Sequence, residues 1–194
     1  MVGITMNRLL HRTLVGIAGS YEIYRVFATS AIRPIATPMP AMQRIEMVDS
    51  GAIEASPDPL VREQSWYAGE GAISFAYVEQ ERIVAACFYW FGARYRERNF
   101  WPLSEHEAKL VQVVTTPEMR GRGVARRLIE SSANDMLNRG FERLYARIWH
   151  SNTPSLAAFS AAGWQPVSLV VQLNPLRLAR PWRVTVGERP RGRT

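Results

Sequence analysis

The spacing of apolar positions changes along the chain, and each change predicts a different kind of element. Between residues 1 and 33 apolar side chains recur every three or four positions, which is typical of an amphipathic helix. The stripe consists of Leu9, Leu10, Thr13, Leu14, Ile17, Tyr21, Tyr24, Phe27 and Ala28. Arg8 and Arg12 stand one turn apart on the other side. We therefore expect an N-terminal amphipathic helix over residues 1–33, lying on a membrane surface or packed against the domain or a partner subunit.

A proline-rich segment follows this predicted helix. Residues 34–41 read Pro-Ile-Ala-Thr-Pro-Met-Pro-Ala, and prolines at this density cannot sustain a helix or a central strand. We expect a linker here, a globular domain over residues 42–187, and a disordered basic tail over residues 188–194.

Within residues 42–187, runs of β-branched and aromatic residues alternate with helical patterns. Strands are predicted at 43–48, 72–80, 82–91, 111–116, 144–149, 164–173 and 182–186. Helices are predicted at 59–67, 124–138 and from residue 152 to residue 163. The strand–helix–strand order over residues 111–149 implies a right-handed crossover between two parallel strands.

The connection inside that crossover carries the most specific chemical signal. The Val-rich strand ends at Pro117, and Arg120-Gly121-Arg122-Gly123-Val124-Ala125 then opens the helix. Glycines let a backbone approach a ligand closely, and the free N–H groups at a helix N-terminus attract anions. The spacing is neither a dinucleotide fingerprint nor a Walker loop. It predicts a phosphate-binding turn, with an ordinary surface turn rich in arginine and glycine as the alternative.

Charge and composition exclude several other classes of protein. The net charge of +7 is concentrated at the two ends, where residues 1–33 and 177–194 carry ten arginines against two glutamates. A near-neutral centre with basic ends is not typical of a nucleic-acid-binding fold, so we expect no nucleic acid partner. The three histidines lack metal-ligand spacing, so no metal site is predicted. Cys87 lies in an apolar run and is expected to be a buried, unreactive thiol.

A second motif lies one strand after the glycine-rich turn. It reads Asn152-x-x-Ser155-x-x-x-Phe159-x-x-x-Gly163-Trp164. The two motifs together resemble the GNAT superfamily of acyl-CoA-dependent N-acyltransferases, whose patterns are R/Q-x-x-G-x-G/A and N-x-x-A/S-x-x-x-Y-x-x-x-G-F/W. Two motifs in the right order are far more specific than either alone. The resemblance covers about residues 43–186.

This resemblance implies a fold of the α/β (α+β) class, to which residues 1–33 would add their helix. The expected core is a mixed central sheet of six to seven strands, flanked by helices and splayed between its fourth and fifth strands. Those two strands are the ones predicted at 111–116 and 144–149.

The resemblance also implies that acetyl-CoA, or another acyl-CoA, enters the splay as co-substrate. The backbone of the strand would bond the pantetheine amides, through Val113, Val114 and Thr115. The N–H groups of the turn would hold the pyrophosphate, from Arg120, Gly121, Arg122, Gly123, Val124 and Ala125. Asn152, Ser155 and Phe159 would face the cofactor near its thioester.

The implied reaction is direct attack of an amine on the thioester carbonyl. A backbone N–H near Val113 would stabilise the oxyanion. The acid that protonates the thiolate is often the tyrosine of the second motif, and Phe159 cannot fill that role. Ser155 is then our candidate acid, with Ser160, a water or the ammonium as alternatives. Glu107 is the candidate base, next to the structural alternative of a solvated strand-end charge.

Several points stay open at the level of sequence. His150 is either a proton shuttle or a structural histidine. The acceptor is an amino sugar, a small amine or a protein amine. Two other functions remain: a non-catalytic acyl-CoA-binding module, and a protein that binds a membrane surface or partner through residues 1–33. We expect a cytoplasmic protein and leave open both contact with the inner membrane surface and a homodimer.

Overall fold

An eight-stranded mixed sheet organises the chain in the computed structural model, which describes residues 20–34, 39–40, 42–96, 101–174 and 182–188. The strands are β1 (Ser20–Thr29), β2 (Gln43–Val48), β3 (Ala72–Glu79), β4 (Arg82–Trp90), β5 (Glu107–Thr115), β6 (Arg143–Trp149), β7 (Gln165–Asn174) and β8 (Trp182–Gly187). The helices are α1 (Ser50–Glu54), α2 (Pro59–Arg62), α3 (Gly92–Arg96), α4 (Val124–Asn138) and α5 (Thr153–Ala161), with short 3-10 turns at Ser65–Tyr67 and Pro117–Met119. Of the predicted 59–67 helix, only Pro59–Arg62 is α-helical.

The strands follow the order β2-β3-β4-β5-β6-β1-β7-β8. Among the described strands, β5 and β6 run parallel and the other neighbouring pairs run antiparallel. The parallel pair is connected through α4, which agrees with the predicted crossover and with the mixed sheet flanked by helices. The predicted count of six to seven strands is wrong, because β1 adds an eighth strand to the sheet.

The two faces of the sheet are covered by different helices. On one face, α4 buries Leu128, Ile129 and Met136 against β3, β4 and β5, and α5 adds Phe159 to the same cluster. On the other face, Ile53 of α1 and Val61 of α2 pack against Phe88 and Val114. Burial of these apolar side chains on both faces stabilises the sheet.

The N-terminal region departs from the sequence prediction. Ser20–Thr29 forms β1 in the middle of the sheet, so the predicted helix is wrong for these residues. Residues 1–19 lie outside the described part of the chain. The strand was not recognised in the sequence because β1 is buried on both faces and shifts register between Val26 and Phe27. Both features remove the simple alternation of apolar and polar residues that marks a strand.

The boundary that was predicted at residues 34–41 therefore does not separate an independent N-terminal element from the sheet. Arg33 is anchored to α4, because its N–H donates to Asn134 Oδ1 at 3.0 Å and its carbonyl accepts from Asn134 Nδ2 at 2.7 Å. Residues 35–38 and 41 of the predicted linker, and 189–194 of the predicted tail, lie outside the described residues. No helix of the described chain is long and apolar enough to cross a membrane.

Candidate functional site

The parallel strands β5 and β6 separate after four residue pairs. Glu107 to Leu110 lie opposite Arg143 to Ala146, and the pairing ends there although β5 continues to Thr115 and β6 to Trp149. The predicted splay between these strands is therefore present. In the second half of β5 and β6, the backbone groups that face the gap therefore have no neighbouring strand, although β5 stays paired with β4 and β6 with β1.

A cavity of about 500 Å³ occupies this gap. Its lining comes from both faces of the sheet: Tyr67, Lys109, Leu110, Val111, Gln112, Val113, Ala146, Arg147, Ile148, Trp149, Asn152, Ser155 and Phe159. The volume suits a small ligand or the arm of a larger one.

A β-bulge lies where β5 leaves β6. Leu110 pairs with Tyr89 and Gln112 with Phe88, so Val111 has no counterpart on β4. Without the bulge, the two-residue period of a strand would place Val113 on the same face as Glu107 and Lys109. The extra residue reverses the alternation, and Val113 packs on the opposite face with the α4 cluster.

The backbone of β5 beyond the bulge presents alternate residues to the gap. The N–H of Thr116 donates to the Val84 carbonyl at 2.9 Å, so Thr116, Val114 and Gln112 point toward β4. By the same alternation the N–H groups of Val113 and Thr115 point into the gap. The Thr115 carbonyl already accepts a 3.2 Å bond from Arg120 Nε. Val114 contributes its side chain to the other face of the sheet instead.

The glycine-rich turn forms a shallow nest of N–H groups beside this gap. Gly121 and Gly123 have φ of 74° and 77°, and a Cβ added at either would meet nothing within 4 Å. Gly123 is the N-cap of α4 and supplies no side chain to its free N–H groups. Among the described residues, no hydrogen-bond acceptor is found for the N–H groups of Gly121 to Ala125, whereas that of Arg120 donates to the Pro117 carbonyl at 3.3 Å.

The residues of the second motif lie at the other wall of the gap. Asn152 is the N-cap of α5, and its Oδ1 accepts from the Ser155 N–H at 3.2 Å. Phe159 packs edge-on against Trp164 with ring centres 5.1 Å apart. Asn152, Ser155 and Phe159 all line the cavity.

Sequence comparison decides the family of this fold. A model of the acetyltransferase (GNAT) family matches residues 39–164. The chain belongs to the acetyltransferase (GNAT) family. No curated protein matched the chain in sequence.

Solved structures show the same GNAT fold at low sequence identity. The chain is similar to an acetyltransferase of the GNAT family from Novosphingobium aromaticivorans, with a TM-score of 0.55, 18% identity, and coverage of 79% of this chain and 64% of that one. It is also similar to a GCN5-related N-acetyltransferase from Sphaerobacter thermophilus, with a TM-score of 0.53, 17% identity, and coverage of 88% and 56%. The chain thus spans less than two thirds of the length of these proteins.

In this GNAT chain the three candidate catalytic residues are separated. Ser155 lines the cavity, but Glu107 and His150 are not part of its lining. Glu107 is only 4% exposed, and its carboxylate accepts from the Ser104 N–H at 2.8 Å and from the Tyr145 hydroxyl at 3.3 Å. His150 is exposed at the end of β6, where its backbone N–H donates to the Ile23 carbonyl at 2.9 Å.

The gap and turn of this GNAT chain fit acyl-CoA. Outward-facing N–H groups on β5 match an amide chain, and the open glycine turn at the start of α4 matches a diphosphate. Nine cavity residues were not predicted as site residues from the sequence, among them the polar and aromatic side chains Tyr67, Lys109, Arg147 and Trp149. They come from a 3-10 turn and two strands whose convergence is visible only once the sheet is assembled. Among the described residues, no group of three metal-binding side chains is found.

Proposed function

We propose that the chain is an acyl-CoA-dependent N-acyltransferase that moves an acetyl group to a primary amine. The observation that carries this proposal is the gap between β5 and β6, which opens next to the glycine turn in a chain of the GNAT family. When bound, acetyl-CoA supplies a thioester whose acetyl group passes to the amine nitrogen, while CoA leaves as a thiol.

The protein's part is to hold the donor and to place charge near the carbonyl. The N–H groups of Val113 and Thr115 bond the amide chain, and those from Gly121 to Ala125 hold the diphosphate. A backbone N–H near the bulge stabilises negative charge on the carbonyl oxygen, since fixed donors in a dry site act strongly. Asn152 and Phe159 enclose the thioester end.

Proton transfer needs a base for the amine and an acid for the thiolate. Tyr67, Lys109 and Ser155 are described cavity residues that carry a transferable proton, and we keep Ser155 as the proposed acid because Phe159 has none. Glu107 and His150 remain our candidates for the base, acting through water because neither lines the cavity. Glu107→Gln and His150→Gln, compared over a range of pH, separate the two: removal of the base eliminates the acidic limb of the rate profile.

The experiment on donor binding uses two glycines at opposite ends of α4. Gly123 and Gly140 both have positive φ, and an added Cβ at either meets nothing within 4 Å. Gly123→Glu is expected to abolish binding of CoA in calorimetry, because it fills and charges the anion nest. Gly140→Glu introduces the same backbone strain and the same charge away from the nest, so it should leave the affinity unchanged. Equal affinity in both variants contradicts the proposed donor site.

Phe159 favours a second candidate function, a module that binds acyl-CoA without transfer. Both candidates bind CoA, but release of a thiol in the presence of an amine occurs only in the first. A third candidate, contact with a membrane surface or a partner subunit, now depends on residues 1–19 because residues 20–29 belong to the sheet. Vesicle co-sedimentation of the full chain and of a chain that starts at residue 20 tests it; equal sedimentation rejects it.

A further inference from the structure

One face of the sheet is apolar and exposed at the end formed by β1, β7 and β8. Residues that lie directly opposite each other in antiparallel strands share a face. Two rows of three apolar residues cross these strands, Tyr21–Leu173–Trp182 and Ile23–Val171–Val184, and together they form what we call the apolar patch. Tyr21, Trp182 and Val184 are 51%, 65% and 57% exposed, and Val186 extends the patch along β8 at 62% exposure.

The other face of the same strands is covered. Tyr24 and Val170 are each 1% exposed and belong to one cluster with Trp101. By the two-residue alternation along β1, the apolar patch lies on the face of Phe27, whose ring packs against Phe159 of α5 with centres 6.1 Å apart. Helix α5 therefore covers this face at Phe27, and the apolar patch continues the same face beyond the helix.

The position of β8 makes this exposure costly. β8 is the last strand of the sheet, so its outer edge has backbone groups available for pairing with another chain. An exposed apolar face next to an open edge promotes aggregation, and soluble proteins rarely leave such a surface uncovered. We therefore searched the rest of the chain for a segment that fits the apolar patch.

Three segments outside the described residues differ in their apolar content. Residues 189–194 read Arg-Pro-Arg-Gly-Arg-Thr and carry no apolar side chain. Residues 175–181 join β7 to β8 and have two leucines between prolines. Residues 1–19 form the longest of the three and carry apolar residues at helical spacing, with Arg8 and Arg12 on the other side. This stripe consists of Met6, Leu9, Leu10, Thr13, Leu14 and Ile17.

The point at which residues 1–19 join the sheet is next to the apolar patch. Ser20, the first residue of β1, lies opposite Asn174, one position before the row that contains Tyr21. Gly16 and Gly19 precede this strand. Glycine commonly ends a helix, and a connection of two to six residues is enough to bring a helix back over the face of a sheet.

The dimensions of the stripe and the apolar patch also agree. As a helix, the stripe from Met6 to Ile17 would be about 16 Å long and about 10 Å wide. The patch runs about 13 Å along β1 from Tyr21 to Arg25 and about 10 Å across the three strands. One helix of this length therefore covers the apolar patch.

We infer that residues 1–19 bury their apolar stripe on the apolar patch of the same chain. The short connection to β1 gives the segment a high effective concentration at the patch, which favours this contact over one with a second copy. A membrane surface that bound the stripe would leave the patch uncovered. The inference does not rest on the proposed function, because no residue of the apolar patch lines the cavity between β5 and β6.

Cysteine labelling in the full chain tests the inference. The native Cys87 is buried, and burial raises its pKa to about 12, so it gives little background reaction with a maleimide. Val184→Cys introduces a reporter thiol in the apolar patch. Thr185→Cys introduces a control reporter on the opposite face of the same strand.

Each reporter is combined with changes in the N-terminal segment. Leu10→Ser plus Leu14→Ser removes two apolar residues from the stripe, and Arg8→Ser plus Arg12→Ser provides the matched change on its other side. We expect Val184→Cys to react at least ten times faster when the leucines are replaced, and at an unchanged rate when the arginines are replaced. The control reporter should react at one rate in all three backgrounds.

Four results would overturn the inference. One is an equal rate for Val184→Cys with and without Leu10 and Leu14. Another is equal acceleration of both reporters, because the leucines would then support the whole fold rather than cover one face. Protection that disappears on dilution would mean that a second copy covers the apolar patch. Unprotected Val184→Cys in a chain that sediments with anionic lipid vesicles through Leu10 and Leu14 would assign the stripe to a membrane.

Discussion

Leu110 lies opposite Ala146, and this is the last pair of residues at which β5 and β6 run side by side. Both side chains are buried, at 3% and 1% exposure, so the sheet is closed up to this pair and open beyond it. The bulge at Val111 follows directly on the β5 side. The transition from paired to unpaired backbone therefore fixes where a guest chain can add hydrogen bonds to the sheet.

Proline substitutions at Val113 and Val114 test the direction in which the β5 backbone points. Val113→Pro removes an N–H that faces the gap, so we expect the protein to fold. Its affinity for CoA should fall about fivefold, because the loss of one hydrogen bond costs about 1 kcal/mol. Val114→Pro removes an N–H that faces β4 and should prevent folding. Circular dichroism and calorimetry measure the two effects. The reverse result would mean that the assigned alternation is wrong.

Asn152 has two separable roles, as the cap of α5 and as part of the cavity wall. Asn152→Ala removes the cap and should cost about 1 kcal/mol, which lowers Tm by roughly 2–4 °C. Asn152→Asp keeps a capping oxygen and should restore Tm. The aspartate has no amide N–H and adds a negative charge, so we expect the KM of acetyl-CoA to stay above that of the wild-type protein. Recovery of both Tm and KM would reduce Asn152 to a capping residue.

The thiol of Cys87 is expected to be unreactive toward thiol reagents in the folded protein. Burial raises its pKa to about 12, and its Sγ lies 3.4 Å from Ser132 Oγ, so the reactive thiolate is scarce between about pH 7 and pH 9. A disulfide reagent should detect no thiol until the chain is unfolded in guanidinium, and then one per chain. Rapid reaction of the native protein would contradict the burial of Cys87 and the predicted inertness.

Removal of β1 should destroy the fold although β1 lies outside the matched family region. A chain that starts at residue 34 lacks the strand between β6 and β7. Tyr24, Val26 and Phe27 of this strand are at most 1% exposed, so its removal exposes the apolar residues packed against them. We expect this chain to be insoluble or to lack a cooperative thermal transition. A chain that starts at residue 20 keeps β1 and should unfold cooperatively. Normal unfolding of the shorter chain would mean that β1 is dispensable.

The sequence predicted those parts of the fold that local patterns determine. α4 was predicted at 124–138 and is found there, because its apolar spacing is regular and Gly140 ends it. β1 was missed because burial on both faces removed its alternation. The glycine turn and the splay could be located from motifs. The sequence did not predict that Lys109 and Arg147 line the same cavity. Their proximity depends on the register of two parallel strands, which a single sequence does not encode locally.

The central place of β1 in the sheet has a consequence for how the protein is made. Tyr24 lies opposite Trp149, and Tyr21 opposite Leu173, so β1 leaves the ribosome more than a hundred residues before the strands that flank it. Until β6 and β7 have been synthesised, its apolar side chains have no native neighbours. Such distant pairing slows folding and leaves an interval in which a chaperone, or a second nascent chain, competes for the unpaired segment.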